Sequence, residues 1–133
     1  IENLIDAIER CAESEYPPIA AYQQDILVLL SQREIIRVYT ENRKLMVCAD
    51  SGMYEVRQSL RVLVDLLEPD CFVRISRFEI INLNWVSGFD YSIKNTIKVI
   101  YEDGSYSWVS RRFVRSVEQR LAKLAQAGGK SNE

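Results

Sequence analysis

The stretch WVSRRF at residues 108–113 sets Arg111 and Arg112 side by side directly after Ser110. Phe113, Val117, Leu121 and Leu124 recur behind them at helical spacing, so the doublet falls in the first turn of a helix predicted from about residue 111 to 127, where Gly128-Gly129 ends the run. With Ser110 as the capping hydroxyl, two guanidiniums lie beside unpaired backbone N–H groups and the positive end of the helix dipole. An anion would relieve that conflict. Phosphate oxygens or a guanine edge would accept forked hydrogen bonds from such a pair. The plainer alternative is a doublet that is solvated or paired with nearby acids.

Two more segments carry similar groups. In FVRISRFEIINL, residues 72–83, Arg74, Ser76, Arg77 and Asn82 interrupt an apolar run with guanidinium, hydroxyl and amide groups. In TENRK, residues 40–44, Asn42, Arg43 and Lys44 form the tip of a polar turn between two strands. A solvated hairpin is the simpler reading there, but a rigid sheet can present such a tip to a partner.

The remaining chemistry is limited by what the chain lacks. There is no histidine, which rules out a histidine base, a Ser/His/Asp triad and a His-ligated zinc site. Asp25, Asp50, Asp65 and Asp70 form no paired-carboxylate or metal motif, and no Gly-rich phosphate loop precedes a helix. No catalytic residue, metal or cofactor is expected. Cys11, Cys48 and Cys71 are far apart, with no CxxC pair, and read as reduced residues of a cytoplasmic protein. No apolar run nears the length of a membrane span, and a chain opening on Ile1 reads as having lost its original start. The net charge of −2 is unevenly spread: residues 1–70 carry thirteen acids and seven bases, whereas residues 71–133 carry six acids and ten bases. An acidic front and a basic back suggest a localised anion-facing surface.

The elements that must position these groups are mostly strands. Ile1, Leu4, Ile5, Ile8 and Cys11 predict an amphipathic helix that Pro17-Pro18 terminates. Strands are expected at 25–30, 34–39, 45–49 and 53–57, the last two flanking a three-residue turn at Asp50-Ser51-Gly52. Ser59 caps a short helix presenting Leu60, Leu63, Val64 and Leu67 on one face, before Pro69. Strands then follow over 72–82, 85–89, 96–102 and 105–109, the last pair closing around Asp103-Gly104. The expected organisation is an N-terminal helix and Pro-containing linker over 1–23, one domain over 24–127 and a tail over 128–133.

FVRISRFEIINLNWV, followed some twenty residues later by DGSYSWVSRRFVRSVEQRL, resembles the LytTR DNA-binding domain of bacterial transcription regulators. That family shows an F-x-R-[IV]-[HS]-[RK]-S-x-[IV]-[IV]-N segment and a later dG…vSRr(Y/F) segment before a final helix. EIIRVYTENRKLMVCADSGMYEVRQSL resembles its opening strands and first helix, so the likeness covers about residues 24–124. Two positions depart from the pattern. Ser76 stands where histidine is frequent, as in the stand-alone branch, and Phe78 replaces the usual serine. Phe78 either fills core space or lies on the binding face.

The resemblance implies a mainly β fold, a stack of small antiparallel sheets with a short internal helix, an N-terminal helix and a C-terminal helix. It implies sequence-specific binding of double-stranded DNA by a transcription regulator, with Asn42, Arg43, Lys44, Arg74, Ser76, Arg77, Arg111 and Arg112 in the major groove or on phosphates. It further implies promoter repeats read by a homodimer on DNA, a stand-alone regulator without a receiver domain, and a membrane-bound inhibitor protein as a partner. The alternative is a non-catalytic protein-interaction module of the same fold that has lost specific DNA binding.

Overall fold

The computed structural model describes residues 16–131 of the chain, so the helix expected over residues 1–13 lies outside the described residues. Strands β1 (Ile19–Gln23), β2 (Ile26–Leu30), β3 (Ile35–Glu41), β4 (Lys44–Ala49), β5 (Gly52–Val56), β6 (Phe72–Ser76) and β7 (Glu79–Asn82) form one antiparallel sheet in the order β2-β1-β5-β4-β3-β7-β6. Strands β8 (Val86–Asp90), β9 (Lys98–Tyr101) and β10 (Tyr106–Trp108) form a second, three-stranded sheet with β9 central. Helix α1 (Leu60–Leu66) and the C-terminal helix α2 (Val114–Ser131) complete the described fold. The mainly β architecture expected from the sequence is the one observed.

Strand alternation divides the apolar residues between the two faces of the large sheet. One face holds Ile19, Ala21, Leu30, Val38, Val47 and Val56 with Leu63 and Leu67 from the α1 segment. Ser59 starts α1 as expected, its hydroxyl accepting from the Val62 amide at 3.2 Å. Leu60 and Leu66 support this core, while Val64, expected on the inner face, is 40% exposed. The other face holds Ile36, Val73, Ile75 and Ile81 against Ile97, Val99 and Tyr101 of the second sheet, with Val117 and Leu121 of α2. Ile35 and Val38, three residues apart, enter the same core because the register shift between Ile35 and Arg37 inserts one residue into the alternation.

Four local expectations differ from the structure. Ile19–Gln23, read as part of a linker, is a strand that pairs with β2 along its whole length, because Pro17-Pro18 ends any helix without preventing a strand from following. The run 72–82 is two strands rather than one: a register shift between Arg74 and Ser76, and a turn at Arg77-Phe78, fold it into a hairpin. The turn before β5 has two residues rather than three, since Ala49 pairs with Gly52, which takes φ +142. Helix α2 runs through the glycines that were expected to end it.

A polar knot ties the two sheets together. Glu79 on β7 accepts from Arg37 on β3 at 3.0 Å, from the Ser107 hydroxyl at 2.7 Å and from the Tyr101 hydroxyl at 3.5 Å. Tyr101 also donates to Ser107 at 2.9 Å. Burial, helped by the nearby carboxylate, raises the Tyr101 phenol well above its ordinary value. Burial acts to lower the Arg37 pKa, but Glu79 outweighs it and the guanidinium is raised instead. Asn82, noted in sequence as an anion-holding group, is structural. It is 1% exposed and donates to the Ile35 carbonyl at 2.8 Å while accepting from the Asn84 amide at 3.0 Å.

Candidate nucleic-acid interface

The β3–β4 hairpin turns through Asn42 and Arg43 alone, since Glu41 pairs with Lys44. Both turn residues are left-handed, at φ 52 and φ 66, as a tight turn matching the twist of its strands requires. Asparagine tolerates this conformation, but glycine is the usual choice at the second position. Arg43 carries a long side chain where a left-handed backbone costs about 1 kcal/mol. Arg43, Lys44 and Arg57 line one cleft beside the tip. Arg57 was not singled out in the sequence; its guanidinium stacks on the Tyr22 ring at 3.8 Å.

The β6–β7 turn is braced from within. The Ser76 hydroxyl accepts from the Phe78 amide at 3.2 Å, a local turn that competes with strand continuation. Arg74 donates to the Ser76 carbonyl at 3.2 Å and to the Arg77 carbonyl at 2.7 Å, and sits 5.9 Å from the Phe113 ring centre. It therefore shapes the turn. Arg77 is exposed, its guanidinium 5.6 Å from the centre of the Phe78 ring. Phe78 is 55% exposed, so of its two readings the core one is overturned.

Arg111 and Arg112 lie in a single 3-10 turn, Arg111–Phe113, ahead of α2. Ser110 has the extended backbone of a cap, but its hydroxyl makes no capping bond. Instead its carbonyl accepts from the Phe113 amide at 2.8 Å and its amide donates to the Ile75 carbonyl at 2.8 Å. The expected hydroxyl cap is thus replaced by a tighter turn tied to β6.

Backbone bonds bring the three basic segments into one row. The Thr40 amide donates to the Phe78 carbonyl at 3.0 Å, joining the β3–β4 tip to the β6–β7 turn. The bond from Ser110 to Ile75 joins that turn to the arginine doublet. Asn42, Arg43, Lys44, Arg77, Arg111 and Arg112 are all exposed, and Ser76 is half-buried at the centre of the row. Among the described residues, Arg43, Lys44, Arg111 and Arg112 have no ion pair. Arg37, by contrast, is ion-paired with Glu79 inside the knot. The row is a ridge of cations fixed by backbone geometry, suited to a polyanion. No cluster of metal-ligating side chains occurs among the described residues, and none of their helices is long and apolar enough to cross a membrane.

The chain is similar to several known proteins. A sensory transduction protein LytT from Enterococcus faecalis is 27% identical over 113 residues, which is 85% of this chain and 46% of that protein. The chain therefore spans about half of that relative's length. An uncharacterized HTH-type transcriptional regulator of Staphylococcus aureus (strain MRSA252) is 22% identical over 92% of this chain and 81% of its own length. A solved LytTr DNA-binding domain from Bacillus cereus superposes with a TM-score of 0.75 at 19% identity, covering 79% of this chain and 96% of that one, and so shares the fold. Residues 25–122 match the family model of the LytTr DNA-binding domain, and the chain belongs to that family.

Proposed function

We propose that the row of three basic turns reads double-stranded DNA at a promoter, with Arg77 and Arg112 reaching base edges in the major groove and Lys44 and Arg111 on flanking phosphates. Asn42 and Arg43 can make directional contacts to bases, whereas Lys44 offers a point charge. Ser76 and Arg74 shape the middle turn. The carrying observation is the backbone continuity from Thr40 to Phe78 and from Ile75 to Ser110, which holds separate cations in one row. No side chain in this reading is catalytic, and no cofactor is needed. Two copies would occupy repeated half-sites as a homodimer on DNA, in a cytoplasmic transcription regulator held in check by a membrane-bound inhibitor protein.

The test is footprinting and titration on the promoter of the protein's own operon at several salt concentrations. Each phosphate contact adds about 0.9 to the slope of log affinity against log salt, so protection of discrete repeats with a steep slope is expected. An acidic sequence pI of about 5.3 and the exposed Phe78 favour the alternative, a protein-interaction module of this fold. A flat salt dependence, with no preference for the promoter over scrambled DNA, would establish that alternative instead.

A further inference from the structure

The two edges of the large sheet are treated differently. At β6 the edge is closed: Ser110 donates to the Ile75 carbonyl and α2 packs against the strand. At β2 nothing comparable occurs among the described residues. Its sequence is ILVLL, without a charge, a proline or a bulge, the devices that usually keep an edge from pairing. Ile26 is 66% exposed and Leu27 52%.

We propose that β2 pairs antiparallel with β2 of a second copy of this chain, joining the two large sheets across a two-fold axis at Val28. The hairpin to β1 closes in two residues, with Gln23 opposite Ile26. In such a hairpin the closing pair exchanges backbone bonds, so Ile26, Val28 and Leu30 direct theirs at β1 while Leu27 and Leu29 direct theirs outward. Pairing centred on Val28 sets Leu27 opposite Leu29 of the second copy, and outward groups meet outward groups. Val28 faces itself, and Ile26 faces Leu30. Every cross-strand pair is apolar, and beyond them Asp25 falls opposite Ser31, so no like charges oppose.

Read in reverse the strand is still wholly apolar, so it meets the requirement of an isologous contact that it match its own reverse. The core also continues across the axis. Leu30 belongs to the buried cluster beneath α1 and Val28 packs against it, so the exposed Ile26 of one copy would lie beside Leu30 of the other.

Sedimentation velocity on the whole chain without DNA tests this independently of the DNA reading. Wild type should show a concentration-dependent monomer–dimer equilibrium. Leu27→Lys with Leu29→Lys puts like charges opposite each other twice and should weaken the dimer at least about tenfold. Leu27→Lys with Leu29→Glu pairs opposite charges in the same register and should restore it, with thermal melts confirming that both variants fold. Val28→Cys should form a disulfide between copies on mild oxidation, in higher yield than Ile26→Cys, whose partner across the axis is Leu30. A wild type that stays monomeric into the millimolar range would overturn the pairing, as would equal dimerisation of the two charge variants. A disulfide from Val28→Cys to Cys11 within one chain would also overturn it, placing the N-terminal segment on the strand.

Discussion

Arg37 and Arg77 lie on neighbouring parts of one sheet and serve opposite ends. Arg37 has an ion pair with Glu79 at 3.0 Å and stacks on the Tyr39 ring at 4.4 Å, inside a knot shared by both sheets. Arg77 has a ring beside it and, among the described residues, no acid paired with it. The same side chain is a fastening in one place and an offered charge in the other. Two carbonyls determine the difference for Arg74, which resembles Arg77 in sequence and is likewise exposed, yet folds back onto the turn to hold its backbone. An arginine's environment, and not its motif position, decides whether it is available to a ligand.

The contrast can be broken most forcefully at the knot. Glu79→Leu removes the acceptor shared by Arg37, Ser107 and Tyr101, and should destabilise the domain by about 2–3 kcal/mol in chemical denaturation, since unsatisfied polar groups are left behind. Stability equal to wild type would mean the knot is replaceable by water. Next, Arg77→Ala and Arg112→Ala should each weaken promoter binding by about 1–3 kcal/mol, roughly five- to 150-fold, with unchanged melts. Lost stability in either variant would place that arginine with Arg37 rather than opposite it.

Arg43→Gly sharpens the comparison, because its two effects should have opposite signs. Relief of the left-handed backbone should stabilise the fold by about 0.5–1 kcal/mol, while promoter affinity falls. A variant that gained stability and kept its affinity would show that the tip is only a turn. Lys44→Ala should weaken all DNA sequences alike and lower the salt slope by about 1.

The smallest effect is on pH dependence. The folded state holds the Tyr101 proton more tightly than the unfolded chain does, so it binds more protons once pH rises past the usual tyrosine value of about 10. Stability should therefore decline above that pH, and Tyr101→Phe should remove part of the decline in melts between about pH 9 and 11.

Much of this was legible in the order of residues. Strand alternation and the Asp103-Gly104 turn located most elements, and the three basic segments were visible as polar interruptions of apolar runs. The β6–β7 hairpin was not, because Arg77-Phe78 contains no glycine, proline or asparagine, and the apolar pattern resumes at once beyond it. The turn is made by the Ser76 hydroxyl and the Arg74 guanidinium, a conspiracy of side chains that periodicity does not register. The knot was equally hidden. Arg37, Glu79, Tyr101 and Ser107 are far apart in sequence, and only the register of β3 against β7 brings the first two together.

The two tryptophans report on different halves of this architecture. Trp85 donates its indole N–H to the Arg33 carbonyl at 2.8 Å, bridging the turns that precede β8 and β3. Trp108 is 46% exposed, meets Tyr106 edge-on at 6.0 Å and has the Lys98 ammonium 5.7 Å from its ring. It stands two residues ahead of Ser110. Emission from Trp108 is open to collisional quenchers and to whatever arrives at the arginine doublet, whereas emission from Trp85 follows the docking of one sheet on the other. Selective replacement of either indole by phenylalanine would give a protein that signals, without any added dye, the arrival of a ligand or the parting of its layers.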